Sequence, residues 1–207
     1  MAAEAVLFDY SGVLTTGFTV PTENVPYDAD LVFSEMATAL SSIDAHPWHA
    51  LERGEISLVE FIAGIEEVAP GAGVLFAVGS EHNVMANLDL LQHRIDLVRE
   101  LAKGGVALAL VTNNVAEWQP LWRNDLLDGL FDVIIDSAEV GMRKPDAEIY
   151  ELALSRLGIA DASRAIFVDD FEWNVAGAMA VGMDAMHCTQ DLDLRAALLA
   201  RLPELES

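Results

Sequence analysis

The sequence has a single cysteine, no long hydrophobic run and no leader-like N-terminus, and each shortage excludes a class of protein. Cys188 cannot form a disulfide within the chain, which is typical of a protein from a reducing compartment. Apolar runs such as "GGVALALVT" are too short to cross a membrane and are typical of buried strands. Because no basic stretch followed by an apolar segment opens the sequence, we predict a cytoplasmic protein without a membrane segment.

Positive charge is scarce as well. The sequence has 11 basic against 34 acidic side chains, and its formal net charge is -23. This charge repels nucleic acids and anionic lipids, so we expect neither as a partner. An anionic substrate would need a local cation or a metal ion to offset the field. Lys103 and Lys144 are the only lysines, so a lysine inside a motif is slightly stronger evidence for a functional role.

Apolar residues, in contrast, make up 53% of the 207 residues, which is enough to bury a core without disulfides or structural metals. Four short apolar runs each end at a polar residue: "AVLF" before Asp9, "VALALV" before Thr112, "DVII" before Asp136 and "AIFV" before Asp169. Segments with helical spacing separate these runs. The alternation predicts an α/β fold, with a Rossmann-like parallel sheet covered by helices on both faces. A fifth strand is predicted at residues 184–187 and a last helix at about residues 191–202.

Residues 17–87 interrupt the alternation. Within them, "DADLVFSEMATALSS" and "SLVEFIAGIEEV" have helical periodicity, with no buried parallel strand between them. We therefore predict an inserted helical lobe at residues 17–87 and an α/β core domain made of residues 1–16 and 88–207. The stretch "VLFAV" fits either a short strand or an apolar loop and is left unassigned.

Polar side chains stand at the predicted strand ends, where ligands of open parallel sheets bind. Asp9, Thr112 and the adjacent Asp169 and Asp170 occupy such ends. If the strands are neighbours, three carboxylates converge, and a hard dication such as Mg²⁺ would relieve their repulsion. Lys144 would add a compensating charge.

These groups together indicate one kind of chemistry. A carboxylate can attack, while a hydroxyl and backbone N–H groups at Thr112 and Asn113 can bind an anionic oxygen. With a lysine and a metal ion added, the set indicates phosphoryl transfer through an aspartyl-phosphate. Each of these residues alone is weak evidence for this chemistry, because an aspartate or a threonine after a strand usually caps a turn or helix.

Four motifs resemble those of the haloacid dehalogenase superfamily of hydrolases. In chain order they are "LFDYSGVL", "LVTNN", "GMRKPDAEIY" and "IFVDDFEWNVAGAMAVGM". Response-regulator receivers use a similar set of residues, but their acid pair comes first along the chain, so the order excludes them. The resemblance covers nearly the whole chain. Residues 17–87 resemble the small helical cap that many members insert after the first motif. Within them, "LERGEISLVEFIAGIEE" resembles the cap of the subgroup that contains the amino-terminal phosphatase domain of soluble epoxide hydrolase.

The resemblance implies a role for each motif residue in a Mg²⁺-dependent phosphatase acting on a small phosphorylated metabolite. Asp9 is implied as the nucleophile, and Thr112, Asn113 and Lys144 as the groups that bind the phosphoryl group. The implied metal ligands are Asp9, the backbone carbonyl of Ser11, Asp169 and Asp170, with Asn174 as a further candidate. The sequence leaves open whether the protein is a monomer or a homodimer.

Ser11 departs from the family's phosphatases, which carry a second aspartate at this position as general acid and base. Three interpretations stay open. The leaving group needs no protonation, or takes its proton from the substrate or from the cap, where His46 and His49 are candidates. Alternatively, the enzyme cleaves carbon–halogen bonds, although the family's dehalogenases lack the acid pair that this chain keeps. In the third, the chain is a degenerate member that binds a ligand or a protein without catalysis.

Overall fold

A parallel sheet of five strands forms the centre of the protein, and the strands lie in the order β3-β2-β1-β4-β5. The computed structural model describes residues 3–41 and 46–202. The strands are β1 (Ala5–Phe8), β2 (Ala107–Thr112), β3 (Val133–Asp136), β4 (Ala165–Asp169) and β5 (Asp184–His187). All five predicted strands are thus confirmed, and so is the predicted α/β fold class.

Helices connect and cover the strands. They are α1 (Ala29–Ser41), α2 (Pro47–Glu52), α3 (Leu58–Val68), α4 (Gly73–Phe76), α5 (Gln92–Lys103), α6 (Gln119–Trp122), α7 (Asp125–Asp128), α8 (Ser137–Val140), α9 (Ala147–Leu157), α10 (Glu172–Ala180) and α11 (Leu194–Leu199). Single 3₁₀ turns lie at Met85–Asn87, Ala116–Trp118 and Ala162–Arg164. None of the helices within residues 3–41 and 46–202 has the length and apolar character that crossing a membrane requires.

Both faces of the sheet are buried, which explains why its strands are continuous apolar runs. In β1, Val6 and Phe8 point into one hydrophobic cluster, whereas Ala5 and Leu7 point into another. The first cluster includes side chains of α5 and of the helical insertion. The second includes side chains of α9 and α10. The sheet therefore forms the middle layer of a three-layer core.

The helical insertion carries α1 to α4 and leaves the core between β1 and α5. Its two connections run side by side, because Thr15 and Leu90 form an antiparallel bridge. The N–H of Leu91 also donates to the carbonyl oxygen of Leu14 at 2.9 Å. The division at residues 16/17 and 87/88 stays a prediction, and its outermost residues, 1–2 and 203–207, lie outside the described residues.

Two elements differ from the expectations. The stretch "VLFAV" begins as a helix, because Val74, Leu75 and Phe76 belong to α4. The first N–H of α4, that of Gly73, donates to a Glu66 carboxylate oxygen at 2.6 Å. The last helix begins later than predicted, since the side chain of Asp193 accepts from the N–H of Ala196 and caps α11. The serine that ends the predicted pattern of α1, Ser42, lies outside the described residues.

Candidate active site

Three carboxylates meet where β1 and β4 end. These strands are hydrogen-bonded neighbours, with Phe8 opposite Val168. Asp9 follows β1, whereas Asp169 ends β4 and Asp170 follows it. One carboxylate oxygen of each of the three residues lies within 4.8 Å of those of the other two. The predicted convergence of the carboxylates therefore occurs.

Lys144 is the cation of this cluster. Its ammonium nitrogen, Nζ, lies 2.8 Å from Asp9 Oδ1 and 2.7 Å from Asp169 Oδ2. The side chain is only 1% exposed. Burial opposes its charge, but the carboxylates of Asp169 and Asp9 outweigh this effect and raise the pKa of Lys144. The lysine is thus a fixed positive charge between two strand ends.

The two carboxylate oxygens of Asp9 have different surroundings. Oδ1 accepts from the backbone N–H of Tyr10 at 2.7 Å as well as contacting Lys144. Among the described residues, no donor binds Oδ2. Burial raises the pKa of Asp9 well above its usual value, Lys144 lowers it in part, and the neighbouring carboxylates raise it further. One oxygen is therefore held in place while the other stays available.

Asp170 lies beneath the backbone of Gly12. A Cβ atom at Gly12 would stand 2.1 Å from Asp170 Oδ2, and the φ angle of 77° also favours glycine there. The other oxygen of Asp170, Oδ1, is buried without a hydrogen-bond partner. Burial, with the charge of Asp169, raises the pKa of Asp170 to about 6, although Lys144 acts in the opposite direction.

This donor set fits a hard dication. Asp9, Asp169 and Asp170 offer oxygen ligands close together, and one lysine cannot neutralise three carboxylates. The unpartnered Oδ1 of Asp170 is the buried polar atom that such an ion would satisfy. Asn174, on α10, donates through Nδ2 to Asp169 Oδ1 at 3.0 Å, and its own Oδ1 is buried without a partner.

Asn113 and Thr112 take different places at the end of β2. The Asn113 amide donates to the carbonyl oxygen of Lys144 at 2.9 Å and accepts from the Lys144 N–H at 2.8 Å, so it positions the lysine's backbone. Thr112 is 2% exposed, and its hydroxyl lies 3.5 Å from the Asn113 carbonyl oxygen. Of the predicted site residues, Asp9, Ser11, Asn113, Lys144 and Asn174 line one cavity, whereas Thr112, Asp169 and Asp170 are not among its described lining residues.

The cavity has a volume of about 80 Å³ and lies between the helical insertion and the core. Its other lining residues are mostly large and apolar. The apolar ones are Phe18, Met36, Trp48 and Met85 of the insertion, and Trp118, Phe171 and Trp173 of the core; the polar ones are Glu52, Asn114 and Arg143. The sequence analysis did not identify the insertion's residues among them as part of the site, because a single sequence does not show which insertion side chains face the core.

A buried ion pair joins the insertion to the core at this cavity. Arg143 Nε donates to Glu52 Oε2 at 2.7 Å, and Trp48 Nε1 donates to Glu52 Oε1 at 2.8 Å. Burial raises the pKa of Glu52, and the bonds from Arg143 and Trp48 partly offset this. The pair was not predicted. The only sequence feature connected with it is the four-residue spacing of Trp48 and Glu52, which places these two side chains on the same face of a helix.

The two histidines considered as proton donors support the insertion's own structure. His46 Nδ1 accepts from the N–H of Trp48 at 3.1 Å and caps α2. His49 Nε2 lies 2.7 Å from the carbonyl oxygen of Ala39. Neither histidine is among the described residues that line the cavity.

Comparison with known proteins agrees with this geometry. A family model described as "haloacid dehalogenase-like hydrolase" matches residues 3–182. The chain belongs to this family. A sesquiterpene phosphatase from Aspergillus oryzae is 33% identical to this haloacid dehalogenase-like hydrolase over 192 residues, which are 91% of each chain. Membership, predicted from the four motifs, is therefore confirmed, and the protein is a hydrolase.

More distant matches are informative about the subgroup and the fold. Bifunctional epoxide hydrolase 2 of Rattus norvegicus is 26% identical, over 88% of this chain and 36% of its own length. This distant similarity confirms the predicted resemblance to one domain of that protein. An enzyme of the same superfamily from Bacteroides thetaiotaomicron, solved with magnesium and inorganic phosphate, superposes with a TM-score of 0.61 at 21% identity. It covers 92% of this chain and 96% of its own and has the same fold.

Proposed function

We propose that this haloacid dehalogenase-like hydrolase is a Mg²⁺-dependent phosphatase that acts on a small phosphorylated compound through Asp9. The observation that carries the proposal is the surroundings of Asp9, whose Oδ1 is held by Lys144 and Tyr10 while Oδ2 has no donor among the described residues. The Aspergillus oryzae relative, named as a phosphatase, supports it, as does the structural relative that holds magnesium and phosphate.

In the proposed reaction, Asp9 Oδ2 attacks the phosphorus atom, and the ester P–O bond breaks as the leaving oxygen takes the electron pair. Lys144 and the backbone N–H groups near Thr112 and Asn113 offset the negative charge of the phosphoryl oxygens. Asp9, Asp170 and the Ser11 carbonyl, with support from Asp169, would hold Mg²⁺, which would supply further charge neutralisation. Water then hydrolyses the aspartyl-phosphate and releases Asp9.

Ser11 lines the cavity at the position of the family's general acid. A hydroxyl does not donate a proton readily near neutral pH, and the lost assistance is about 10²- to 10⁴-fold in rate. We therefore expect turnover to favour leaving groups that depart without a proton, such as acyl or aryl oxygens. Phosphate esters of simple alcohols should react more slowly.

The other two interpretations predict different outcomes. Carbon–halogen cleavage in this family does without the acid pair, whereas here Asp169 and Asp170 lie next to Asp9. A binding-only protein would not need an attacking carboxylate with a free oxygen. Both interpretations are less consistent with the site than phosphate ester hydrolysis.

The test is hydrolysis of para-nitrophenyl phosphate by the purified protein with and without Mg²⁺, beside halide release from 2-chloropropionate. We expect Mg²⁺-dependent phosphate release and no halide. Asp9→Asn should lower the turnover number at least about 10³-fold, because an amide is not a nucleophile here. The matched control is Asp89→Asn, on a connection of the insertion. Undiminished turnover in Asp9→Asn, or halide release without metal, would refute the proposal.

A further inference from the structure

The buried indoles of the cavity offer no free polar atom to a substrate. The Nε1 of Trp48 donates to Glu52 at 2.8 Å, and the Nε1 of Trp118 donates to the carbonyl oxygen of Phe76 at 3.1 Å. Their ring faces remain as apolar wall. A hydroxyl-rich group placed against them would lose its hydrogen bonds to water without gaining new ones.

The cations that line the cavity are both already close to carboxylates. Lys144 contacts Asp9 and Asp169, and Arg143 donates to Glu52, with both partners of this second pair less than 10% exposed. Among the described lining residues no third lysine or arginine occurs. A second anionic group on the substrate would therefore meet the carboxylate of Glu52 as well as the guanidinium of Arg143.

We propose that the natural substrate is the monophosphate of an apolar, uncharged group, which the insertion's side of the cavity accommodates. This inference rests on the proposed phosphatase function. Since the cavity volume is about 80 Å³, the part of the group seated inside is short. A longer chain would leave past the stacked rings of Phe171 and Trp173, because Trp173 is 38% exposed and lines the cavity.

Binding of alkylphosphonates tests this preference without any cleavable ester bond. With Mg²⁺ present, calorimetry should show affinity rising from ethyl- to butyl- to hexylphosphonate, by about fourfold for each methylene that is buried. The gain should level off once the chain reaches solvent. A carboxylate at the end of the ethyl chain, which is short enough to stay inside the cavity, should weaken binding at least tenfold relative to ethylphosphonate. Equal affinity along the series, or tighter binding of the carboxylated compound, would overturn the inference.

A substitution in the apolar wall localises the effect. Met36→Gln replaces a buried lining residue with a polar one of similar length, and should reduce the hexyl-to-ethyl affinity ratio at least threefold. Because the ratio is taken within one variant, a smaller folded fraction does not change it. Met179→Gln, at a position that is 59% exposed and outside the cavity, should keep the wild-type ratio. An unchanged ratio in Met36→Gln would place the apolar contact elsewhere and overturn the assignment to this wall.

The two proposals can fail separately. If the chain-length trend is present but para-nitrophenyl phosphate is not hydrolysed, the apolar preference of the cavity stands and the phosphatase function is refuted. If para-nitrophenyl phosphate is hydrolysed with Mg²⁺ while affinity does not depend on chain length, the function stands and the substrate class is refuted.

Discussion

The two walls of the cavity have opposite chemistry. On the core side, Asp9 and Lys144 line the cavity, and Asp169 and Asp170 lie next to Asp9 without lining it. Asp170 Oδ1 and Asn174 Oδ1 have no hydrogen-bond partner among the described residues. On the insertion side, Glu52 accepts from Arg143 and from Trp48, and the remaining lining side chains are apolar. We call the first group (Asp9, Lys144, Asp169, Asp170 and Asn174) the core wall and the second (Phe18, Met36, Trp48, Glu52 and Met85) the insertion wall. The core wall has uncompensated charge and unpaired polar atoms, whereas the insertion wall has almost no such groups.

This difference assigns a task to each wall. Buried polar atoms without partners are rare in folded proteins, so a group of them marks a place where a ligand completes the structure. A wall whose polar atoms are already bonded selects instead by shape and by exclusion of water. The core wall is thus suited to a metal ion and a phosphoryl group, and the insertion wall to the rest of the substrate.

The largest effect is expected when the cation of the core cluster is removed. Lys144→Met keeps the side chain's length but leaves Asp9 and Asp169 buried without their partner. We expect the free energy of unfolding to fall by about 3–5 kcal/mol in the absence of metal, and phosphate release to be lost. Denaturant unfolding and the para-nitrophenyl phosphate assay measure the two effects.

The chain provides its own control for this substitution. Lys103, the other lysine, is exposed at the end of α5, so Lys103→Met should change stability by less than about 0.5 kcal/mol. Similar losses in both variants would show that the core wall does not depend on Lys144 for charge compensation.

The insertion wall should respond to Glu52→Gln. This change leaves Arg143 buried without a carboxylate, and we expect the free energy of unfolding to fall by about 2 kcal/mol. It should also improve binding of the carboxylated ethylphosphonate relative to ethylphosphonate, because Arg143 becomes available. Glu55→Gln breaks an exposed pair with Arg53 and should lower the stability less than Glu52→Gln does. No change in ligand preference would mean that the pair does not shape the wall.

Ser11→Asp restores a carboxyl group to the core wall. If the missing acid limits turnover, phosphate release from an alkyl phosphate should rise between about tenfold and a hundredfold, whereas an aryl phosphate should gain less. The control is Ser34→Asp on the exposed face of α1, which should leave both rates unchanged. Equal gains with both esters would count against this explanation of Ser11.

The core wall was predictable from sequence because strand pairing dictates it. Each apolar run ended at a polar residue, and parallel strands end at one edge of their sheet, so Asp9 and Asp169 had to lie close once β1 and β4 were neighbours. The motif order added Lys144, which approaches from a loop distant in sequence. Local patterns, one topological rule and the motif order together therefore predicted this cluster.

The insertion wall was not predictable because it depends on how the insertion packs on the core. Glu52 and Arg143 are 91 residues apart, and nothing local to either residue indicates the other. The same holds for Trp118 of the core, which the sequence does not distinguish from an ordinary buried tryptophan and which lines the cavity where it contacts Phe76 of the insertion. Such contacts depend on tertiary packing, which leaves no periodic pattern in the sequence.

The smallest expected effect isolates one contact of the core wall, that between Gly12 and Asp170. Gly12→Ala places a methyl group where Asp170 Oδ2 now lies, so the carboxylate has to move. We expect Mg²⁺ affinity, measured by calorimetry, to fall by about tenfold.

Gly79→Ala is the matched control, because Gly79 has a φ angle of 76° but none of the described atoms outside its chain neighbours lies within 4 Å of the point where its Cβ would stand. Both variants should lose about 1–2 kcal/mol of stability to the left-handed backbone. Gly12→Ala should lose more because its methyl group collides with Asp170, and only Gly12→Ala should weaken metal binding. Equal Mg²⁺ affinities in the two variants would show that Asp170 is not a ligand of the metal ion.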